Sequence, residues 1–189
     1  FYPEGGGQSG DKGKLVFENN NELLIIDTKK ENGKILHFSK KPDFDISCNV
    51  KASVDSFERN ECSSNHSSTH LLHQALRNVL GNHVEQKGSS VTPEGLRFDF
   101  SHFKKIDDDQ IKEIETYVNN RIDDSIELEE NRNENYKTAI DNGAIGLFGE
   151  KYGKTVRTIK FGDSYELCGG THVQNTMNIR NFLIISESS

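Results

Sequence analysis

The chain has no run of apolar residues approaching the roughly 18 needed to cross a bilayer, so a membrane-spanning role is set aside. It has only three cysteines, Cys48, Cys62 and Cys168, odd in number and widely scattered. That excludes a disulfide framework and suits a reducing cytosol, so the expected location is cytoplasmic. Internal repeats and low-complexity tracts are absent, and no Ser-His-Asp arrangement is identifiable. Lysine and arginine do not outnumber the acids: the net charge is −7, which argues against strong independent nucleic-acid binding. The chain also opens at Phe1 with neither an initiator methionine nor a signal peptide, as expected of a fragment of a longer protein. Its 189 residues and apolar fraction are enough for one large domain or two small ones with a proper core.

What is present centres on two short segments. In Asn65-His66-Ser67-Ser68-Thr69-His70 two imidazoles stand at helical i, i+4 spacing, on one face and one turn apart, where both can reach one metal ion. In Glu166-Leu167-Cys168-Gly169-Gly170-Thr171-His172 a thiolate and an imidazole recur at the same spacing around two glycines that permit a tight bend. One thiolate and three imidazoles are a donor set that zinc prefers, whereas magnesium or calcium would want oxygens. The predicted metal ligands are therefore His66, His70, Cys168 and His172. The plainer alternative is a buried Cys168 beside a surface His172, with the two segments never meeting. A metalloprotease is excluded because Ser67 stands where the HExxH pattern needs its glutamate base.

From the start, Phe1 to Asp11 is too glycine-rich for a helix, and its amides suit a pocket around an anionic or carbonyl group; a flexible turn is the simpler reading. Lys14–Glu18, Glu22–Thr28, Ile35–Phe38 and Asn49–Val54 are short β-prone runs, which predict a small antiparallel barrel or sheet over about 1–58. From Ser63 the period changes to 3.6, with Leu71, Leu72, Ala75, Leu76, Val79 and Leu80 as an apolar stripe stopped by Gly81. His73, a turn beyond His70, reads as a surface residue or as support for a ligand. Ser89–Val91 and Leu96–Phe100 predict a hairpin about Thr92-Pro93-Glu94-Gly95, and Asp107-Asp108-Asp109 opens a second helix. Ile126–Asn135 reads as an edge strand, Tyr136–Asn142 as a short helix, and Val156–Phe161 and Phe182–Ser186 as strands. This order is α+β, in two layers with a mainly antiparallel sheet; the remaining 59–189 form the metal-bearing core.

Five ordered motifs then carry a resemblance. They are Asn65-His66-Ser67-Ser68-Thr69-His70-Leu71-Leu72-His73, Gln86-Lys87-Gly88-Ser89, Leu96-Arg97-Phe98-Asp99-Phe100-Ser101-His102, Gly146-Leu147-Phe148-Gly149-Glu150-Lys151-Tyr152-Gly153 and Glu166-Leu167-Cys168-Gly169-Gly170-Thr171-His172-Val173. Together with the glycine-rich opening, they resemble the editing domain of alanyl-tRNA synthetases across essentially the whole chain. The resemblance implies a small N-terminal β-barrel followed by an editing core shared with threonyl-tRNA synthetase. It implies hydrolysis of the ester joining a wrong serine or glycine to tRNA(Ala), with one zinc ion. ATP and magnesium would belong to an aminoacylation domain outside this chain, and the partners would be the tRNA acceptor end and the remaining synthetase domains. A free-standing editing protein of the same superfamily is the alternative, and a zinc-stabilised RNA-binding module without catalysis is another.

By the same resemblance Thr69, Gln86 and Ser89 line the amino acid pocket, with Gln86 and Thr69 the candidate catalytic residues. Gly6, Gly7 and Gln8 match a loop tied to serine selection. The plainer roles are a Thr69 packed on its own helix, a solvated Gln86 and a strand-capping Ser89. Lys29, Lys30, Lys40, Lys41, Lys104, Lys105, Lys151, Lys154, Arg157 and Lys160 offer local positive patches for tRNA, or simply a solvated surface.

Overall fold

A computed structural model describes residues 1–146 and 152–188. Leu147 to Lys151, the middle of the fourth motif, lie outside the described residues. The frame of the protein is the helix α1, Ser56–Leu80. It begins well before Ser63, because Asp55 caps it: its Oδ1 accepts from the amides of Phe57 and Glu58 at 3.0 and 3.1 Å, meeting two donors that a helix start otherwise leaves unpaired. Gly81, at φ 116°, ends it. The second helix, α2 (Asp108–Asp123), carries a capping box between Asp107 and Gln110 and buries Ile114, Val118 and Ile122.

These two helices pack on each other, and α1 also packs on the hairpin β6 (Gln86–Thr92) and β7 (Gly95–Phe100). Leu96, Phe98 and Phe100 turn to the core while Arg97 and Asp99 are exposed, as the alternation predicts. A three-stranded antiparallel sheet completes the enclosure in the order β10 (Ser164–Leu167), β9 (Thr155–Phe161), β8 (Glu129–Asn135), with the short helix α3 (Tyr136–Asp141) beside it. The main core gathers Leu71, Leu72, Ala75 and Leu76 of α1, the three α2 residues, and Ile159 and Phe161 of β9. Each of the larger side chains removed from water contributes about 1.5–3 kcal/mol, so the core fixes the polar face of α1 against β10.

Near the N-terminus, β1 (Gly13–Phe17) pairs with β2 (Glu22–Ile25) and β5 (Val50–Val54), and β3 (Asp27–Glu31) pairs with β4 (Lys34–Phe38). All of these ladders are antiparallel, but the expected barrel does not close among the described residues: β4 and β5 form no ladder, and residues 39–49 run between them without a strand. The expected strand Phe182–Ser186 also differs, since it joins no ladder. Helix side chains take its backbone groups instead. Asn119 exchanges two bonds of 2.9 Å with Phe182, and Glu115 accepts from the Ile184 amide at 2.6 Å. The strand β10, which no alternation in the sequence announces, delivers the second candidate ligand segment. Among the described residues no helix is long and apolar enough to cross a membrane.

Candidate metal centre

His66 and His70 face inward from the buried side of α1, one turn apart, with 6% and 3% of their surface exposed. Small neighbours make room for what meets them: Ser63, Ser64, Ser67 and Ser68 are buried on the same helix. Cys168 and His172 arrive on the irregular segment that follows β10. The four offer one ligand atom each, all within 4.8 Å of one another. Cys168 Sγ lies 3.4 Å from His66 Nε2 and 3.3 Å from His172 Nε2. Gly170 has to be glycine here, since a Cβ would come within 2.0 Å of His66 Cε1.

The surrounding bonds set how these rings stand. Gln8 Oε1 bonds His66 Nδ1 at 2.7 Å, and Ser67 Oγ bonds His172 Nδ1 at 3.1 Å while accepting from the Val173 amide. Glu166, buried at the end of β10, bonds His73 Nδ1 at 3.0 Å and keeps its other oxygen 3.7 Å from His70 Nε2. His73 is thus a support for the centre and not a surface residue. Arg157 on β9 donates to the carbonyls of Cys168 and Gly170 at 3.0 and 2.6 Å, and to Glu130 at 2.6 Å. Its guanidinium clamps the ligand segment and is not a free cation. Lys29 and Lys160 are likewise paired, with Glu4 and Asp27, and with Glu129.

The electrostatics suit a cation. Burial opposes ionisation of Cys168, but the charges of His66 and His70 and bonds from His172 and His66 hold its thiol well below the usual range. Burial also opposes charge on His70, yet Glu166 and Cys168 push its pKa up to about 9. Burial, then the charge on His70, pushes His172 down to about 3. Without an ion the cluster therefore carries a proton on His70 and a thiolate, and a divalent ion would supply the positive charge in the proton's place. His70 Nδ1 is buried with no hydrogen-bond partner, so the shell is one interaction short. One thiolate and three imidazoles fit a metal ion on both counts.

The other expected residues are placed less uniformly. Ser89 accepts from Gln86 Nε2 at 3.1 Å, and Gly7, at φ 82°, lies so close to Ser89 that a Cβ would meet its carbonyl oxygen at 2.5 Å. Gly7, Gln8 and Ser89 share the lining of a cavity of about 670 Å³ with Lys29, Lys30 and Glu4. Thr69 spends its hydroxyl on the His66 carbonyl of its own helix at 2.6 Å, and Gly6 takes the left-handed turn before Gly7 at φ 58°. A larger groove, about 1340 Å³, runs past Phe98, Phe103 and Lys104. None of the four candidate ligands lines either space. The smaller cavity approaches the centre through Gln8, which touches His66.

Residues 156–189, which include two of the four candidate ligands, match the family described as the threonyl and alanyl tRNA synthetase second additional domain. Beyond that segment, the whole chain is 54% identical over 189 residues to an alanine-tRNA ligase of Christiangramia forsetii and 54% identical over 197 residues to that of Flavobacterium psychrophilum. An alanine-tRNA ligase of Bacteroides fragilis is 53% identical. Each match covers 100% of this chain and 22% of the relative, so the chain spans about a fifth of the length of these relatives. The resemblance to alanyl-tRNA synthetases is thereby shown along the whole chain.

Proposed function

We propose that this chain is a zinc-bearing editing domain that hydrolyses the ester of serine or glycine mischarged onto tRNA(Ala), within a larger ligase that charges the same tRNA with alanine. The observation that carries the reading is the convergence of His66, His70, Cys168 and His172 in a chain so similar to a segment of alanine-tRNA ligases. When bound, zinc supplies Lewis acidity, which polarises an ester carbonyl and acidifies a water towards a pKa of about 7. Around it, Cys168 and the three imidazoles hold the charge and the geometry. Ser89 and Gln86, bonded to each other beside Gly7, present polar groups to the amino acid. Thr69, Gly6 and Gln8 stand behind them, and the division near residue 58 into a β subdomain and an editing core belongs to the same reading.

Selection follows from chemistry. A site sized for alanine excludes glycine poorly and serine only modestly, so errors need a second site. A pocket whose polar groups pair with the serine hydroxyl leaves them unpaired when alanine enters, which spares the correct product. The test is release of serine against alanine from charged tRNA(Ala). Serine should be released and alanine retained, and chelation should abolish release while circular dichroism still reports a folded protein. Four protein ligands are also the count of a structural zinc site, which favours a binding module as the second reading. Global unfolding on chelation, with no serine released by the loaded protein, would select it.

A further inference from the structure

The glycine-rich segment at the N-terminus ends in a side chain with an unusual placement. Gln8 is completely buried, more than a hundred residues away in sequence from the segment it touches. The backbone around it adds to β6: the Val91 amide donates to Gly7 O at 2.8 Å, and Val91 O accepts from Ser9 at 3.0 Å. A further anchor comes from Asp11, paired with Arg59 of α1. Between these fixtures the Gln8 amide reaches the metal centre, where both of its ends are bonded. Oε1 accepts from the Thr171 amide at 2.9 Å and bonds His66 Nδ1 at 2.7 Å, while Nε2 donates to Thr171 Oγ1 at 2.8 Å.

The orientation of that amide is decided by a donor that has no alternative. A backbone N–H can only donate, so the Gln8 atom facing Thr171 N is the carbonyl oxygen. The same oxygen then has only a lone pair to offer His66, so Nδ1 must carry the proton. In the neutral ring that a metal ion requires, Nε2 is left with its lone pair, and Nε2 is the atom that faces Cys168 Sγ at 3.4 Å. We infer that Gln8 is a positioning residue for the metal centre: it fixes the tautomer and ring angle of His66, and so couples the glycine-rich segment to the ion. This rests on the metal reading above, not on the hydrolytic one. Outer partners of ligating histidines typically contribute 10–100-fold in metal affinity.

Three substitutions in the protein test it by chelator competition for zinc and by the visible spectrum of the cobalt-loaded form. Gln8→Met removes the acceptor and Gln8→Asn withdraws it by one methylene. Both should weaken zinc about 10–100-fold and shift the cobalt bands, as His66 turns or offers its other nitrogen. Gln8→Glu keeps an acceptor for both donors and should stay within a few-fold of the unsubstituted protein with the bands in place. If Gln8→Met does not fold, the Asn and Glu pair carries the comparison. Unshifted bands and unchanged affinity in Gln8→Asn, or an equal loss in Gln8→Glu, would overturn the inference. An unsubstituted protein that binds no zinc would overturn the metal reading and this inference together, whereas one that binds zinc but releases no serine would overturn hydrolysis alone.

Discussion

The two halves of the candidate centre reach the same point by different means. His66 and His70 belong to one continuous helix, and their mutual placement follows from its 3.6-residue turn. Cys168 and His172 have the same spacing but no regular structure between them, and their segment is fixed by bonds from elsewhere: Arg157 on its carbonyls, Gln8 on Thr171 and Ser67 on His172. The helix pair is preformed by local geometry, whereas the loop pair is assembled by the rest of the fold. Damage to the loop's supports should therefore cost metal affinity, while equivalent damage on the helix should cost mainly stability.

The largest effect should come from the loop ligand itself. Cys168→Ala should weaken zinc by more than the roughly 10–100-fold expected for losing an outer partner, as read by chelator competition. In the unsubstituted protein the same contrast is readable by alkylation. Stripping the metal should let Cys168 alkylate at a pH below the usual thiol range, while Cys62, whose pKa burial pushes up, stays slow and exposed Cys48 serves as the control. Next comes the clamp. Arg157→Met should leave α1 intact by circular dichroism yet lower zinc affinity about 10–100-fold, because the carbonyls of Cys168 and Gly170 lose their donor. Unchanged affinity would break the comparison, since the loop would then be held without it.

How much of this was legible in the sequence divides along the same line. The candidate ligands, the hairpin facing of Leu96, Phe98 and Phe100, and both long helices follow from spacing and periodicity, which are local. The early start of α1 was also readable, since Asp55 followed three residues later by Glu58 is a cap pattern. Arg157 was not readable: on a strand, an arginine between Val156 and Thr158 looks like any solvated cation, and its partners are carbonyls more than ten residues away. Gln8 matched a serine-selecting loop by motif, but no periodicity announces a bond to His66. The barrel and the strand at Phe182–Ser186 were expected because β-prone residues mark extended backbone without saying what pairs with it.

Ser67 lies on the helix but bonds the loop, and Ser67→Ala sharpens the contrast. It removes the acceptor of the Val173 amide and the partner of His172 Nδ1, both buried, and should cost about 1–3 kcal/mol in denaturant unfolding of the metal-free protein. Its effect on zinc should be smaller than that of Arg157→Met, because His172 alone loses a partner while Cys168 and the two helix histidines keep theirs. The reverse order would mean that the helix, and not the clamp, aims the loop.

The smallest effect lies one bond further out, at Glu130, and it carries a pH signature. Bonds from Arg157 and then Arg132 hold its carboxyl below the usual carboxylate range. A carboxyl depressed in the folded state stabilises above its unfolded pKa, near 4.5, and loses that contribution as pH falls through its folded value. The site is about a fifth exposed, so solvent limits the pair to about 0–1 kcal/mol. Glu130→Gln should thus lower the thermal midpoint slightly at pH 6–7, and the gap should close as the pH is taken down through the acidic range. A gap that persists unchanged at low pH would assign the effect to packing. It would also detach Glu130 from the chain of contacts that runs through Arg157 to Cys168.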